Sequence, residues 1–282
     1  MLLELLMMKH KIYTKFSFFK QSVVGLSLGT VALVIFEYGR FPGVLLPGLA
    51  LMMLFFIVLS YRILQLIYKL QLDRLHDTNQ VESMQWIYQQ FQPKVAIPPM
   101  RIFAGSPDFI KVLLDRIQTE EPEVVLELGS GVSSIMISEY LFETGRSNIN
   151  HFALDHLEKY SNATSKKIRN PKSKILFAPL KEYLIDGEKW LWYDLDSLNQ
   201  QLGEKKIDIL IVDGPPMELQ KLSRYPAFPL LKDKLRNGAI IILDDTIRKD
   251  EQKIIATWQN RFSVVLDEHV FTEKGTTILK TR

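Results

Sequence analysis

The sequence predicts an α/β chain in which a largely parallel, helix-covered sheet ends in an antiparallel β-hairpin and is preceded by an N-terminal hairpin of two membrane-spanning helices. Three observations carry this reading. After residue 104, five short aliphatic runs alternate with charged, helix-like stretches, the pattern of a parallel sheet buried on both faces. The last segment reads as two strands joined through Glu273-Lys274-Gly275, a hairpin signal. Two apolar segments, 21–36 and 41–61, stand side by side near the N-terminus.

The first of these, QSVVGLSLGTVALVIF, is uncharged but short, and becomes a full span only if Phe18 and Phe19 join it and Lys20 snorkels to the interface. The second, FPGVLLPGLALMMLFFIVLSY, reaches the roughly 20 apolar residues that a bilayer core requires. Pro42 and Pro47 lie near its start, where few helix bonds are lost. The break EYGR is so short that the two helices must be antiparallel. Lys9, Lys11, Lys15 and Lys20 precede the pair and Arg62, Lys69 and Arg74 follow it, whereas the turn carries only Arg40 beside Glu37. The positive-inside bias therefore predicts a two-span anchor with both termini, and the domain that follows, in the cytoplasm. The late start of the apolar region and the second span directly behind it disfavour a cleaved signal peptide. A buried helical hairpin of a soluble protein, or a re-entrant loop, satisfies the same composition.

Residues 62–92 contain no glycine or proline and predict a helix, and the Pro-rich piece QPKVAIPPMR then marks a boundary. The expected organisation is a cytoplasmic segment over 1–16, the helical hairpin over 17–64, a helical and Pro-rich linker over 65–103, and the sheet domain over 104–282.

Composition excludes several functions. Among 282 residues there is no cysteine, which removes disulfides, thiolate metal sites and cysteine nucleophiles. The five histidines have no metal-ligand spacing. A net charge of +3 gives no argument for nucleic acid. The basic run Lys166, Lys167, Arg169, Lys172 and Lys174 suits either anionic membrane lipids or a solvated helix face.

The predicted strands are 123–128, 151–155, 174–178, 207–213 and 239–245. The first ends in Glu127-Leu128-Gly129-Ser130-Gly131-Val132-Ser133-Ser134, where glycines allow a tight turn and a close approach to a ligand. A dinucleotide fingerprint would place a third glycine near Ser134. The second strand ends at Asp155, positioned to accept hydrogen bonds from both ribose hydroxyls of a nucleoside, or else to be a solvated turn residue.

VVLELGSGVSS, FALDH, IDILIVDGPP and AIIILDDT together resemble class I S-adenosylmethionine-dependent methyltransferases, whose Rossmann-like sheet ends in the same kind of hairpin. The similarity covers about 104–282. It is strongest to bacterial-type members with SPD before the first strand, here Ser106-Pro107-Asp108, and DGPP followed by RYPA, here Asp213–Pro216 and Arg224–Ala227. The resemblance implies S-adenosylmethionine as cofactor, with Gly129 and Gly131 under its methionine part, Glu127 orienting its amino group, Ser133 bonding its carboxylate and Asp155 holding the ribose. Ala178 and Leu180 would then lie near the adenine.

Asp213 ends the fourth strand and Asp244 and Asp245 the fifth, so their carboxylates are expected at one rim. In one reading all three bind Mg²⁺ or another divalent cation, which lowers the pKa of an acceptor hydroxyl, as in the catechol-type O-methyltransferases that the pattern resembles. In the other, Asp213 is the catalytic base and Asp244 or Asp245 caps the next helix. Arg224 and Tyr225 are expected near the acceptor, with Arg224 gripping a carboxylate or phosphate or else forming a loop salt bridge. Trp190, Trp192 and Tyr193 suit a sugar-stacking wall or a core.

The function expected is O-methylation of a glycan, a lipid-linked or other small hydroxylated acceptor at the cytoplasmic membrane face. The alternative is a membrane-anchored scaffold whose methyltransferase-like domain is catalytically inactive. A nicotinamide-dependent reductase is disfavoured by Ser134 and by the terminal hairpin.

Overall fold

The computed structural model describes residues 45–101 and 104–282; the first predicted span and the turn after it lie outside the described residues. Helix α1, Leu45–Gln90, is uninterrupted. It runs through the expected boundary between span and linker, because the change there from apolar to mixed side chains alters the favoured solvent and not the backbone hydrogen bonds, and nothing from Leu49 onward breaks a helix. Among the described residues this is the one helix long and apolar enough to cross a membrane, by length and composition alone. Met52, Leu54, Phe55, Phe56 and Val58 on it are exposed.

A compact unit begins at His76, inside α1, and runs to Arg282. Ile87 and Phe91 are buried in it, so residues 76–91 pack with the sheet domain although the Pro-rich piece lies between them and the first strand. Asp108 ties this region together. Its carboxylate accepts hydrogen bonds from Gln80 Nε2 at 2.8 Å, from the Ser106 hydroxyl and from the Glu273 amide at 2.7 Å. The SPD motif is thus a structural knot at the start of helix α2, Pro107–Glu120.

The elements then follow in order as β1 Val124–Leu128, α3 Val132–Glu143, β2 Asn150–Asp155, α4 Glu158–Ser165, β3 Ser173–Phe177, β4 Leu180–Ile185, β5 Glu188–Tyr193, α5 Asp196–Leu202, β6 Ile207–Val212, α6 Ala227–Leu231, β7 Leu235–Leu243, α7 Lys249–Arg261, β8 Val264–Val270 and β9 Thr276–Thr281. Seven strands form one sheet in the order β3-β2-β1-β6-β7-β9-β8. The first five are parallel, and β9 runs antiparallel to both β7 and β8. This is a Rossmann-like α/β fold with a mostly parallel central sheet and a terminal hairpin. From β1 the chain first builds outward to β2 and β3, then returns to place β6 on the other side of β1. The order reverses between β1 and β6, which opens a crevice beyond their carboxyl ends.

Period-two alternation divides the core between the two faces. Leu126, Leu128, Leu154, Leu210, Val212 and Leu243 pack on one side with Trp192, Phe228 and Trp258. Val125, Ile209, Ile211, Ile240 and Ile242 pack on the other with Phe109, Leu113, Met136 and Ile137.

The β4–β5 hairpin was not among the expected strands. It forms a separate two-stranded sheet, turning at Asp186-Gly187. Trp192 is fully buried and Trp190 nearly so, which makes these rings core and not a sugar-stacking wall. The basic run is likewise not a uniform free face, since Arg169 bonds Glu139 at 3.0 Å and Glu143 at 2.7 Å.

Candidate active site

A cavity of about 610 Å³ opens at the carboxyl ends of β1, β2 and β6. Gly129, Ser130, Gly131 and Ser133 form one wall, Asp155 to Leu157 a second, and Asp213, Gly214 and Asp245 a third. The glycine turn is needed on two counts. Gly129 has φ +101°, so a side chain there is strained, although its Cβ would lie in ordinary contact, 3.5 Å, with the Asp213 backbone. A Cβ on Gly131 would meet nothing within 4 Å, so the turn leaves the cavity floor bare for a ligand.

Glu127 lies beneath this turn and is almost fully buried. Its carboxylate accepts hydrogen bonds from the Ser133 hydroxyl and, at 2.5 Å, from the Ser134 hydroxyl, with His151 Nε2 at 3.4 Å. Ser134 in turn accepts the Gly131 amide at 3.2 Å. Serine in place of a third glycine therefore has a structural reason: its hydroxyl couples the turn to the end of β1. Glu127 is not part of the cavity wall, and it acts on the turn through Ser133 and Ser134.

Across the cavity, Asp155 accepts the Ser130 hydroxyl at 2.6 Å and the Leu157 amide at 2.9 Å. Glycine turn and acid thus share one cavity at one sheet edge. Ala178 is buried in the core, and neither it nor Leu180 belongs to the cavity wall. Tyr160 and Tyr193 do, and Tyr193 comes from the hairpin that the sequence reading missed. Its hydroxyl stands over Gly214, and burial, with Asp155 next, raises its pKa.

At the third wall the carboxylates of Asp213, Asp244 and Asp245 converge, with ligating oxygens within 4.8 Å of one another. Parallel pairing of β6 and β7 in register, Val212 opposite Leu243, brings the three ends together. Asp245 adopts φ +62°, a left-handed conformation that aspartate tolerates better than most residues. Burial first, then the neighbouring Asp245 carboxylate, pushes the Asp213 carboxyl up to about 6 against the pull of Arg224. Asp244 is fully buried, both of its carboxylate oxygens find no hydrogen-bond partner among the described residues, and burial raises its pKa well above the usual carboxylate range.

Arg224 lines the cavity, but its Nη donors turn to the strand ends of the protein itself. Its side chain is 4% exposed and its guanidinium lies among the acids. Nη1 donates to the Asp244 carbonyl at 2.9 Å, and Nη2 donates to Asp213 Oδ1 at 3.2 Å and Asp245 Oδ2 at 2.7 Å. Burial works against its charge, but Asp213 and Asp245 more than offset this, so its pKa rises. Tyr225 points away from the cavity. Its ring packs 5.0 Å from that of Trp190, and its hydroxyl sits between Asp186 at 3.2 Å and Arg261 at 3.0 Å. It is a core residue, contrary to the expectation of acceptor contact.

The spacing of the three acids alone satisfies a hard cation. The arrangement as a whole does not, because the two acids on the cavity wall, Asp213 and Asp245, are held by Arg224 while Asp244 lies off that wall.

Fold and site together define a Rossmann-like α/β protein with a nucleoside-sized cavity at its topological switch point. No protein-family model and no curated protein matches the chain. Among solved structures it is similar to the O-methyltransferase from Bacillus cereus in complex with SAH, at 17% identity and TM-score 0.47 over 73% of this chain and 91% of that one. It is similar also to the SAH-bound methyltransferase PaMTH1 of Podospora anserina, at 15% identity and TM-score 0.48 over 72% and 88%. The O-methyltransferase TomG of Streptomyces achromogenes, involved in tomaymycin synthesis and solved with SAM, matches at 13% identity and TM-score 0.45 over 72% and 89%.

Proposed function

We propose that this chain is an S-adenosylmethionine-dependent methyltransferase that methylates an oxygen of a glycan, lipid-linked or other small hydroxylated acceptor at the cytoplasmic face of a membrane. The observation that carries the reading is that Gly131, Asp155 and Asp213 line one cavity of about 610 Å³. A donor nucleoside held by Asp155, with its methionine part over Gly129 and Gly131, directs its sulfonium toward the Asp213 wall. The acceptor oxygen attacks the methyl carbon, the carbon–sulfur bond breaks, and the sulfonium leaves as the neutral thioether. Asp213 takes the hydroxyl proton. A carboxyl near 6 is mostly ionised at neutral pH yet more basic than an ordinary aspartate, which suits this task. Because the donor carries its own activation, alignment of the two reactants is the other contribution required of the protein.

The exposed apolar side chains of α1 support membrane attachment, and its length, about twice what the roughly 30 Å bilayer core demands, leaves its C-terminal half for the linker role. The lysines before the first apolar segment and the basic residues after the second support two spans with the sheet domain in the cytoplasm.

The test is transfer of labelled methyl from S-adenosylmethionine into a membrane extract of cells lacking the protein. The full-length chain is expected to label an extractable product and Asp213→Asn to lose about 10²–10⁴-fold in rate. Equal labelling by the two chains contradicts the role of Asp213. Protease protection of residues after 76 in sealed inside-out vesicles contradicts the cytoplasmic placement.

A further inference from the structure

We infer that Arg224 is the resident cation of the strand-end carboxylates, standing where a divalent metal would otherwise sit and aiming Asp213 at the cavity, so that transfer by this chain needs no metal ion. The inference rests on the proposed methyltransferase reading for its last clause only.

Four hydrogen bonds fix the guanidinium. Two go to backbone carbonyls at the strand ends, of Asp244 at 2.9 Å and of Asp213 at 3.1 Å, and two to the side chains of Asp213 and Asp245. A planar fork that satisfies two neighbouring strand ends at once is a geometry that guanidinium supplies and ammonium does not. Its charge is permanent, so the carboxylates have a counter-ion at every working pH.

A metal bound in the same place would need the same oxygens. Asp245 Oδ2 already accepts from Arg224 at 2.7 Å and is ion-paired with Arg248 at 2.9 Å. Moving Arg224 aside would strand two carbonyls and a buried cation. The remaining acid, Asp244, has its oxygens unspent, but it is fully buried and does not line the cavity. A catalytic metal keeps an open coordination position for the reacting oxygen. An ion held by Asp244 alone would be sealed from any acceptor in the cavity. Arg224 is therefore a positioning residue: it holds Asp213 and compensates its charge.

Mn²⁺, which takes hard oxygen ligands, provides a direct readout without any acceptor. Binding is measured by electron paramagnetic resonance on the full-length chain in detergent. Wild type and Asp213→Asn should take up Mn²⁺ identically, through weak surface sites alone. Arg224→Ala, which frees Asp213 and leaves Asp245 paired with Arg248 alone, should gain roughly one saturable ion per chain, as expected for a carboxylate site. The double variant Arg224→Ala, Asp213→Asn should lose it again. Wild-type uptake that falls in Asp213→Asn overturns the inference, and so does a folded Arg224→Ala chain that gains no Asp213-dependent site. Should Arg224→Ala lack a cooperative melt, Arg224→Met keeps the volume of the side-chain stem, and the comparison of wild type with Asp213→Asn still decides. SAH titration of the same preparations reads the methyltransferase assignment separately. Its failure would remove that assignment while the Mn²⁺ results still report on the cation position.

Discussion

Replacing Gly214 by alanine puts a methyl group 2.3 Å from the Tyr193 hydroxyl oxygen and 3.2 Å from both the Gly129 nitrogen and the Leu128 oxygen. The first distance is more than an ångström inside the roughly 3.5 Å of ordinary contact. Gly214 does not use a left-handed φ, so the backbone accepts alanine and the collision is the whole effect. Packing restricts how far Tyr193 can swing clear. It is 1% exposed, with Trp192 5.2 Å away and His156 6.1 Å away between ring centroids. Overpacking of this kind costs about 1–3 kcal/mol. At roughly 2–4 °C per kcal/mol for a chain of this size, Gly214→Ala should melt about 2–12 °C below wild type. Tyr193→Phe removes the colliding oxygen, so the double variant should recover most of the loss. Tryptophan fluorescence melts of the four chains complete the cycle. A Gly214→Ala melt unchanged from wild type, or a double variant no more stable than Gly214→Ala, refutes the packing described for this wall.

Two further expectations concern the acids. With its carboxyl near 6, Asp213 is mostly protonated below that pH and ionised above it, so methyl transfer should rise with pH through about 6 and then level off; a pH–rate profile flat across that interval contradicts its role as base. Asp208 serves the opposite rim, accepting the Glu123 amide at 2.9 Å and the Val124 amide at 2.8 Å and pairing with Arg236 at 3.0 Å. Asp208→Ala should lose about 1–3 kcal/mol of stability with SAH affinity unchanged, as denaturant titration and calorimetry on one preparation will report.

The strands of the main sheet were legible because each is a short aliphatic run bounded by charge, and those at 207–212 and 239–243 bury every side chain. The β4–β5 hairpin was not, because LKEYLI and EKWLWY each carry two adjacent charges, which break the aliphatic run that marks the other strands. The Asp186-Gly187 pair between them was the signal that could have found it. At the site, parallel pairing alone brings Asp213, Asp244 and Asp245 together, so strand ends were enough to foresee it. Arg224 and Tyr225 lie in a loop, where neighbours in sequence can face opposite ways. One turned into the acids and the other into the core, and no periodicity announces which. The burial of Glu127 under Ser133 and Ser134 was hidden for a related reason, since the sequence fixes its strand position but not what covers it.

The central claim is that Gly131 and Asp155 face one ligand across one cavity. Calorimetric titration of SAH into the full-length chain, Gly131→Val and Asp155→Ala tests it most directly. A valine at 131 meets no protein atom near its Cβ and so should leave the melt unchanged while abolishing binding. Removing the Asp155 carboxylate should weaken binding by about tenfold or more, the value of one hydrogen bond to a charged group. Equal affinity in wild type and Gly131→Val, or no binding to wild type at millimolar SAH, contradicts the account.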